Sequence, residues 1–441
     1  MTLLKKWNII FVAVFVILMF TGCTMNAVSD LYCLPKRSEE HTNLQSLIKT
    51  SMDKCEYSAP VSGDNRQTVQ SADLDGDGED EFLLFAKDST EKPLKIFVFA
   101  GDGTNYELLD TIESTGSSFD RIEYIQMDGR RGYEIVVGHQ VSDQVVGSVS
   151  VYTLKNGQLE QVMAANYSEF ICCDLDLDGR SGLIVLHPSE SGNGLAELYS
   201  FKGDVLERSQ EVSMSEPAEN IKRIMYSNLQ DRVRAVYVAS AVTGSDGIIT
   251  DVFCLIDGVL TNVSFSNESG TSVQTLRNYY VYADDIDNDG VLELPSLITI
   301  QNPERLEAES NQYLIRWYAM RSDGTEVDKL YSYHNLATGW YLELDSALVH
   351  RYIVEQKGSS FEFSLWNEDF TEAQKVFTIY ILTGQKREEQ AASNNRFILH
   401  RTESTIYAAG LEVASAEYGL TQEALINQFH LIIQDWKNGE T

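Results

Sequence analysis

Between residues 66 and 338, short apolar runs rich in β-branched and aromatic residues alternate with turns of Gly, Asp and Asn, a pattern of strands and not of helices. Residues 95–100 (KIFVFA) run into Gly101-Asp102-Gly103 and resume at 106–109, which reads as strand, tight turn, strand. The unit returns at 148–154 with a turn at Asn156-Gly157, at 196–201 with Gly203-Asp204, at 251–256 with Asp257-Gly258, and at 313–320 with Asp323-Gly324. Asn-Gly and Asp-Gly are the strongest short hairpin signals, because both central residues of the favoured turn need positive φ. Self-similarity at a period of about fifty residues predicts five repeats of four short strands each. Several runs are apolar at every position, so each sheet is expected to be covered on both faces, as in stacked propeller blades; a two-layer sandwich would alternate more cleanly. The expected fold is mainly β: a β-propeller-like array over 66–338, followed by a small α+β domain over 339–441.

Outside the repeats the pattern changes. Residues 43–54 read as a helix, with Leu44, Leu47, Ile48 and Met52 on one face, and 43–65 lead into the array. In 339–441, runs at 340–355, 360–366, 375–382, 396–400 and 404–409 read as strands, the first of them an alternative sixth blade. A closing helix is expected from the cap Thr421, with Glu423 in its first turn, Leu425, Phe429, Ile432, Ile433 and Trp436 as its apolar face, and Gly439 as its stop. At the other end Lys5 and Lys6 precede an unbroken apolar run over 9–20, too short for a membrane span. The run ends in Phe20-Thr21-Gly22-Cys23, which resembles a bacterial lipobox. That resemblance implies a signal peptide over 1–22, diacylation of Cys23, and a polar tether over 23–42 holding the body at the outer face of a cell membrane.

The candidate chemistry lies in two acidic loops, 73–81 (DLDGDGEDE) and 285–293 (DIDNDGVLE), which share the template D-x-D-x-D-G-x-x-E. Carboxylates about 4 Å apart repel by roughly 4 kcal/mol at an effective dielectric near 20, so a group of four calls for a cation. Hard oxygen donors at flexible spacing suit Ca²⁺. The expected ligands are Asp73, Asp75, Asp77 and Glu81 with the carbonyl of Glu79, and Asp285, Asp287, Asp289 and Glu293 with the carbonyl of Val291. A helix-loop-helix hand is excluded, because its twelfth position needs a glutamate and here holds Leu84 or Ser296. The alternative is a solvated acidic turn. The loop 174–182 keeps Asp174, Asp176 and Asp178 but has Gly182 in place of the fourth acid, and is expected to bind weakly. Around Asp128-Gly129 one acid stays in register with Glu134 two places late, and around Asn228 the pattern is lost.

These loops, set in β repeats over some 270 residues, resemble FG-GAP or VCBS-type repeats, as in the integrin alpha-chain propeller and many bacterial surface proteins. The resemblance implies a calcium-stabilised propeller at the cell surface. The 441 residues are 43% hydrophobic, enough for a large core, and the net charge of −32 disfavours nucleic acid and anionic lipid as partners. No C-x-x-C pair occurs among the six cysteines; Cys33 and Cys55 flank one short segment and could pair, whereas the vicinal Cys172 and Cys173 in a strand point to opposite faces. Nucleophile-elbow, P-loop, zincin and dinucleotide fingerprints are absent. His139 and His187 follow strand-like runs and read as surface-loop residues, with a channel lining as the alternative. Three function classes follow: a surface binding module for a protein or glycan, which is favoured; a polysaccharide-active enzyme on the same scaffold; and an accessory lipoprotein of a membrane complex.

Overall fold

The computed structural model describes residues 42–432, apart from 102–104, 142–146, 191, 279–280 and 301–312. The expected signal peptide, Cys23, the tether up to residue 41, a Cys33–Cys55 pairing, and the expected helix from Ile433 onward lie outside the described residues. Among those described, no helix is long and apolar enough to cross a membrane.

The chain is mainly β. It begins with the helix Thr42–Ser51 and a short 3-10 turn, Met52–Lys54, whose face of Leu44, Leu47, Ile48 and Met52 packs on Leu84, Phe99 and Tyr106 of the first sheet. Five antiparallel meanders then follow one another. The first runs Val69–Ala72, Glu81–Lys87, Leu94–Gly101, Tyr106–Ser114, with Glu56–Tyr57 pairing beside its first strand. The second runs Ser118–Ile125, Glu134–Gln140, Gly147–Lys155, Gln158–Tyr167, and the third Glu169–Cys173, Gly182–Pro188, Gly194–Lys202, Val205–Ser213. The fourth runs Ile221–Asn228, Arg234–Ala241, Ile248–Ile256, Val259–Asn262. In the fifth a bridge between Asp284 and Glu293 replaces the first strand, before Glu293–Thr299, Tyr313–Met320, Glu326–Asn335 and Trp340–Leu344. The hairpin turns behave as their sequences require: Asn156 and Gly157 have φ of 51° and 76°, and Asp257 and Gly258 have 50° and 76°.

The unbroken apolar runs are explained by packing. In Glu134–Gln140, Ile135 and Val137 face the first sheet while Val136 faces the third; in Gly182–Pro188, Leu183 and Val185 face the second sheet while Ile184 and Leu186 face the fourth. A strand that serves two interfaces has no solvent face to show as alternation. Cys172 and Cys173 obey the same rule, packing at different interfaces of the third sheet. Shared clusters join each sheet to the next along the chain. Among the described residues no such cluster joins the last sheet back to the first.

Two boundaries differ from expectation. Trp340–Leu344 completes the fifth sheet, so the repeats run past 338, and the expected strand at 340–355 is broken by the turn Val349–Arg351 before Tyr352–Lys357 starts a sixth sheet. That sheet continues through Ser360–Trp366, Ala373–Thr383 and Thr405–Leu411 to Phe397–Arg401. The closing helix is shorter than its apolar stripe suggests. Thr421 caps it, accepting from the Ala424 amide at 3.1 Å, but it ends at Gln428, and Phe429–Leu431 forms a strand on Trp340–Leu344. There Phe429 stacks on Trp340 with ring centroids 5.6 Å apart, a contact that secures the sheet edge as well as the aromatic core.

Candidate metal centres

Each acidic loop occupies the same place, between the first and second strands of its sheet. The residue before the loop pairs with its ninth residue: Ala72 with Glu81, Ile125 with Glu134, Cys173 with Gly182, Asp284 with Glu293. In the fourth sheet Asn228 pairs with Arg234, which leaves no room for the nine-residue turn. The second loop position is an apolar plug: Leu74, Met127, Leu175 and Ile286 are all buried. Such burial stabilises by roughly 1.5–3 kcal/mol per side chain and fixes the loop on its sheet.

The polar positions then fall into place around the plug. The first aspartate accepts the amide of the sixth residue in three loops, Asp73 from Gly78 at 3.0 Å, Asp174 from Gly179 at 3.0 Å and Asp285 from Gly290 at 2.9 Å. Those glycines have φ between 82° and 95°, as the sharp turn demands. The fourth position is also left-handed, at Gly76, Gly129, Leu177 and Asn288. A ninth-position glutamate accepts the amide of the plug: Glu81 from Leu74 at 2.7 Å, Glu134 from Met127 at 2.8 Å, Glu293 from Ile286 at 3.1 Å. Glu134 is therefore in register, and Asp128 stands at the third position; the expectation of a glutamate two places late came from anchoring the pattern on Asp128-Gly129.

In loop 73–81 oxygens of Asp73, Asp75 and Glu81 converge within 4.8 Å of one another. Asp77 is exposed, accepting the Glu79 amide at 2.8 Å, and Glu79 is exposed beside it. Burial pushes the Glu81 carboxyl up to about 7, and Asp75, Asp77 and Asp73 add to the rise; among the described residues no lysine or arginine forms an ion pair with these carboxylates. In loop 285–293 Asp285, Asp287 and Asp289 converge within 4.8 Å, and Val291 is buried, bridging to Asn228. Glu293, fully buried, is raised to about 8, first by burial and then by Asp287. Here a cation is already at hand: Lys329 Nζ lies 2.5 Å from Asp289 and 3.6 Å from Asp287. In loop 174–182 the three aspartates also converge within 4.8 Å, with the Arg180 guanidinium on Asp178. The loop 126–134 carries Arg130 at its fifth position, 3.4 Å from Asp128 and paired with Asp204. The donor set of 73–81, all oxygen and without an internal counter-charge, fits a divalent cation such as Ca²⁺ best.

Sequence reasoning missed a polar groove on the first strands of the second, third and fourth sheets. Arg121, Glu169, Phe170, Lys222 and Arg223 line about 190 Å³. Arg121 donates to the Phe170 carbonyl and lies over its ring at 3.9 Å, and Tyr167 donates to Asp120 at 2.5 Å. Burial raises the Glu169 carboxyl, opposed by Arg121. The only signal in the chain is that first strands mix charges (FDRIEY, IKRIMY) where second strands are apolar. His139 and His187, expected on surface loops, are strand residues: His139 is buried, and His187 Nε2 lies 3.3 Å from Glu197. Compared with known proteins, the chain matches no family model and no characterised relative.

Proposed function

We propose that the chain is a membrane-anchored, extracytoplasmic binding protein whose meanders are calcium-stabilised propeller blades of the FG-GAP or VCBS type. One observation carries this reading: the nine-residue loop recurs at one place in four of the five meanders, the fourth excepted, and in 73–81 its carboxylates converge with no ion pair to a basic side chain among the described residues. Calcium bound there orders the link between neighbouring sheets, and the protein or glycan ligand is engaged at the charged edge around Arg121, Glu169 and Arg223. Anchoring rests on Gly22-Cys23 after the short apolar run. The test is capture of a saturable protein or glycan partner by the purified protein, with binding weakened by chelator. Calcium-dependent turnover of a polysaccharide, abolished by Glu169→Gln, would replace this reading with an enzyme. Mass spectrometry of membrane-extracted protein should find diacylglyceryl on Cys23, and an intact unacylated Met1 there refutes the anchor.

A further inference from the structure

Loops 73–81 and 285–293 share all four acids, yet their surroundings differ at one point of the sheet. In the first, second, third and fifth sheets the last two strands of the common meander slip register by one residue: Val98 faces Asp110 and Phe99 faces Leu108, Val151 faces Met163 and Tyr152 faces Gln161, Leu198 faces Gln210 and Tyr199 faces Arg208, Trp317 faces Leu330 and Tyr318 faces Asp328. The residue bulged out at each slip is Leu109, Val162, Ser209 and Lys329 in turn. Only the fifth sheet places a cation there. Its ammonium reaches Asp289 Oδ2 at 2.5 Å, Asp287 Oδ2 at 3.6 Å and Glu293 Oε1 at 3.7 Å, with a side chain only 12% exposed. Glu293 Oε1 is fully buried, aims into the loop and accepts no hydrogen bond, so it faces a cation that is too far away to satisfy it.

We propose that Lys329 is the resident cation of loop 285–293, tethered there by the bulge, and that a divalent ion enters this loop only by displacing the ammonium. The proposal rests on the calcium reading of the loops. It divides two loops of matching sequence into different kinds of site: 73–81 depends on a free ion, and 285–293 is neutralised from within. A single positive charge leaves the four carboxylates under-compensated, so the loop stays competent for calcium once the lysine is gone.

The test is the number of calcium ions bound per full-length chain at about 1 mM calcium chloride, measured by equilibrium dialysis with elemental analysis. Lys329→Leu, which installs the residue type of the first sheet, should bind one more ion than wild type, and adding Asp287→Asn should remove that ion. The reciprocal change Leu109→Lys should remove the ion of loop 73–81. In chelator, Lys329→Leu should melt below wild type, and calcium should restore it; this also reports that the variant folds. Wild type already binding an ion that Asp287→Asn abolishes, or Lys329→Leu gaining none while folded, overturns the proposal. If wild type binds none and Lys329→Leu binds one that depends on Asp287, loop 73–81 is not a calcium site and the role of Lys329 stands.

Discussion

Replacing Asp75 with asparagine should change the sign of its effect with calcium. Asp75 is exposed, and its Oδ1 accepts the Asp77 amide at 3.0 Å, a bond that the asparagine carbonyl keeps, so the substitution removes charge and little else. Oxygens of Asp73, Asp75 and Glu81 lie within 4.8 Å of one another, where two unit charges repel by about 0.9 kcal/mol in water and about 3.5 kcal/mol at an effective dielectric near 20. Exposure puts Asp75 near the lower figure, so Asp75→Asn should gain about 1 kcal/mol in chelator. With calcium at about 100 times its dissociation constant, wild type gains roughly 2.7 kcal/mol from a single site and the variant loses most of that. The two urea unfolding curves should therefore exchange order between chelator and calcium. Asp176→Asn, in the loop where Arg180 already covers Asp178, should respond little to calcium. A variant less stable than wild type in both conditions refutes the argument, since that result makes Asp75 a structural hydrogen-bond acceptor rather than a ligand.

Three further outcomes are expected. His334, stacked on Tyr341 at 4.9 Å and fully buried, is held down to about 3, so its neutral form belongs to the folded state and stability should fall by about 1.4 kcal/mol per pH unit as pH drops from about 6.5 toward 3; His334→Phe should flatten that part of the stability profile, and an unchanged slope counts against it. Leu177 is 60% exposed at φ 59°, where the other loops have Gly76, Gly129 and Asn288, so Leu177→Asn should raise thermal stability by about 1 kcal/mol, and no gain would show the strain to be absent. Asp251 is buried and accepts from the Ser215 amide and hydroxyl, the Ser272 hydroxyl and the Asn262 amide at 2.6–2.9 Å; Asp251→Ala orphans these donors and should cost about 3–5 kcal/mol by urea titration, whereas a loss below about 1 kcal/mol means that water replaces the carboxylate.

Much of this was readable along the chain because its signals are local. Hairpin turns such as Asn156-Gly157, the glycines Gly78, Gly179 and Gly290 at position six of three loops and the largely apolar second strands are all written in neighbouring residues. Glu134 was misplaced because Arg130 and Arg131 fill positions five and six, where an aspartate and a glycine would have fixed the register. Lys329 was invisible in its role, since only sheet pairing and a one-residue bulge bring it from the fourth strand position back to a loop forty residues earlier. Phe429 carried the right polarity for the stripe of a helix and, equally, for a strand; its partner Leu342, distant in sequence, decides between them. The groove at Arg121 and Glu169 assembles from three sheets, and its one linear trace, the charges within the first strands, does not say that they meet.

The strand Phe429–Leu431 sets a timetable for biosynthesis. Its partner Trp340–Leu344 leaves the ribosome well before it, together with the whole sixth sheet, and until Phe429–Leu431 arrives that partner is an open edge with Trp340 beside it. Every nascent or truncated chain ending before residue 429 therefore presents an unpaired, aromatic-backed strand to its neighbours. This late-made strand acts as the latch, and a premature stop before it should reveal itself as aggregation of an otherwise folded array and not as loss of the first four sheets.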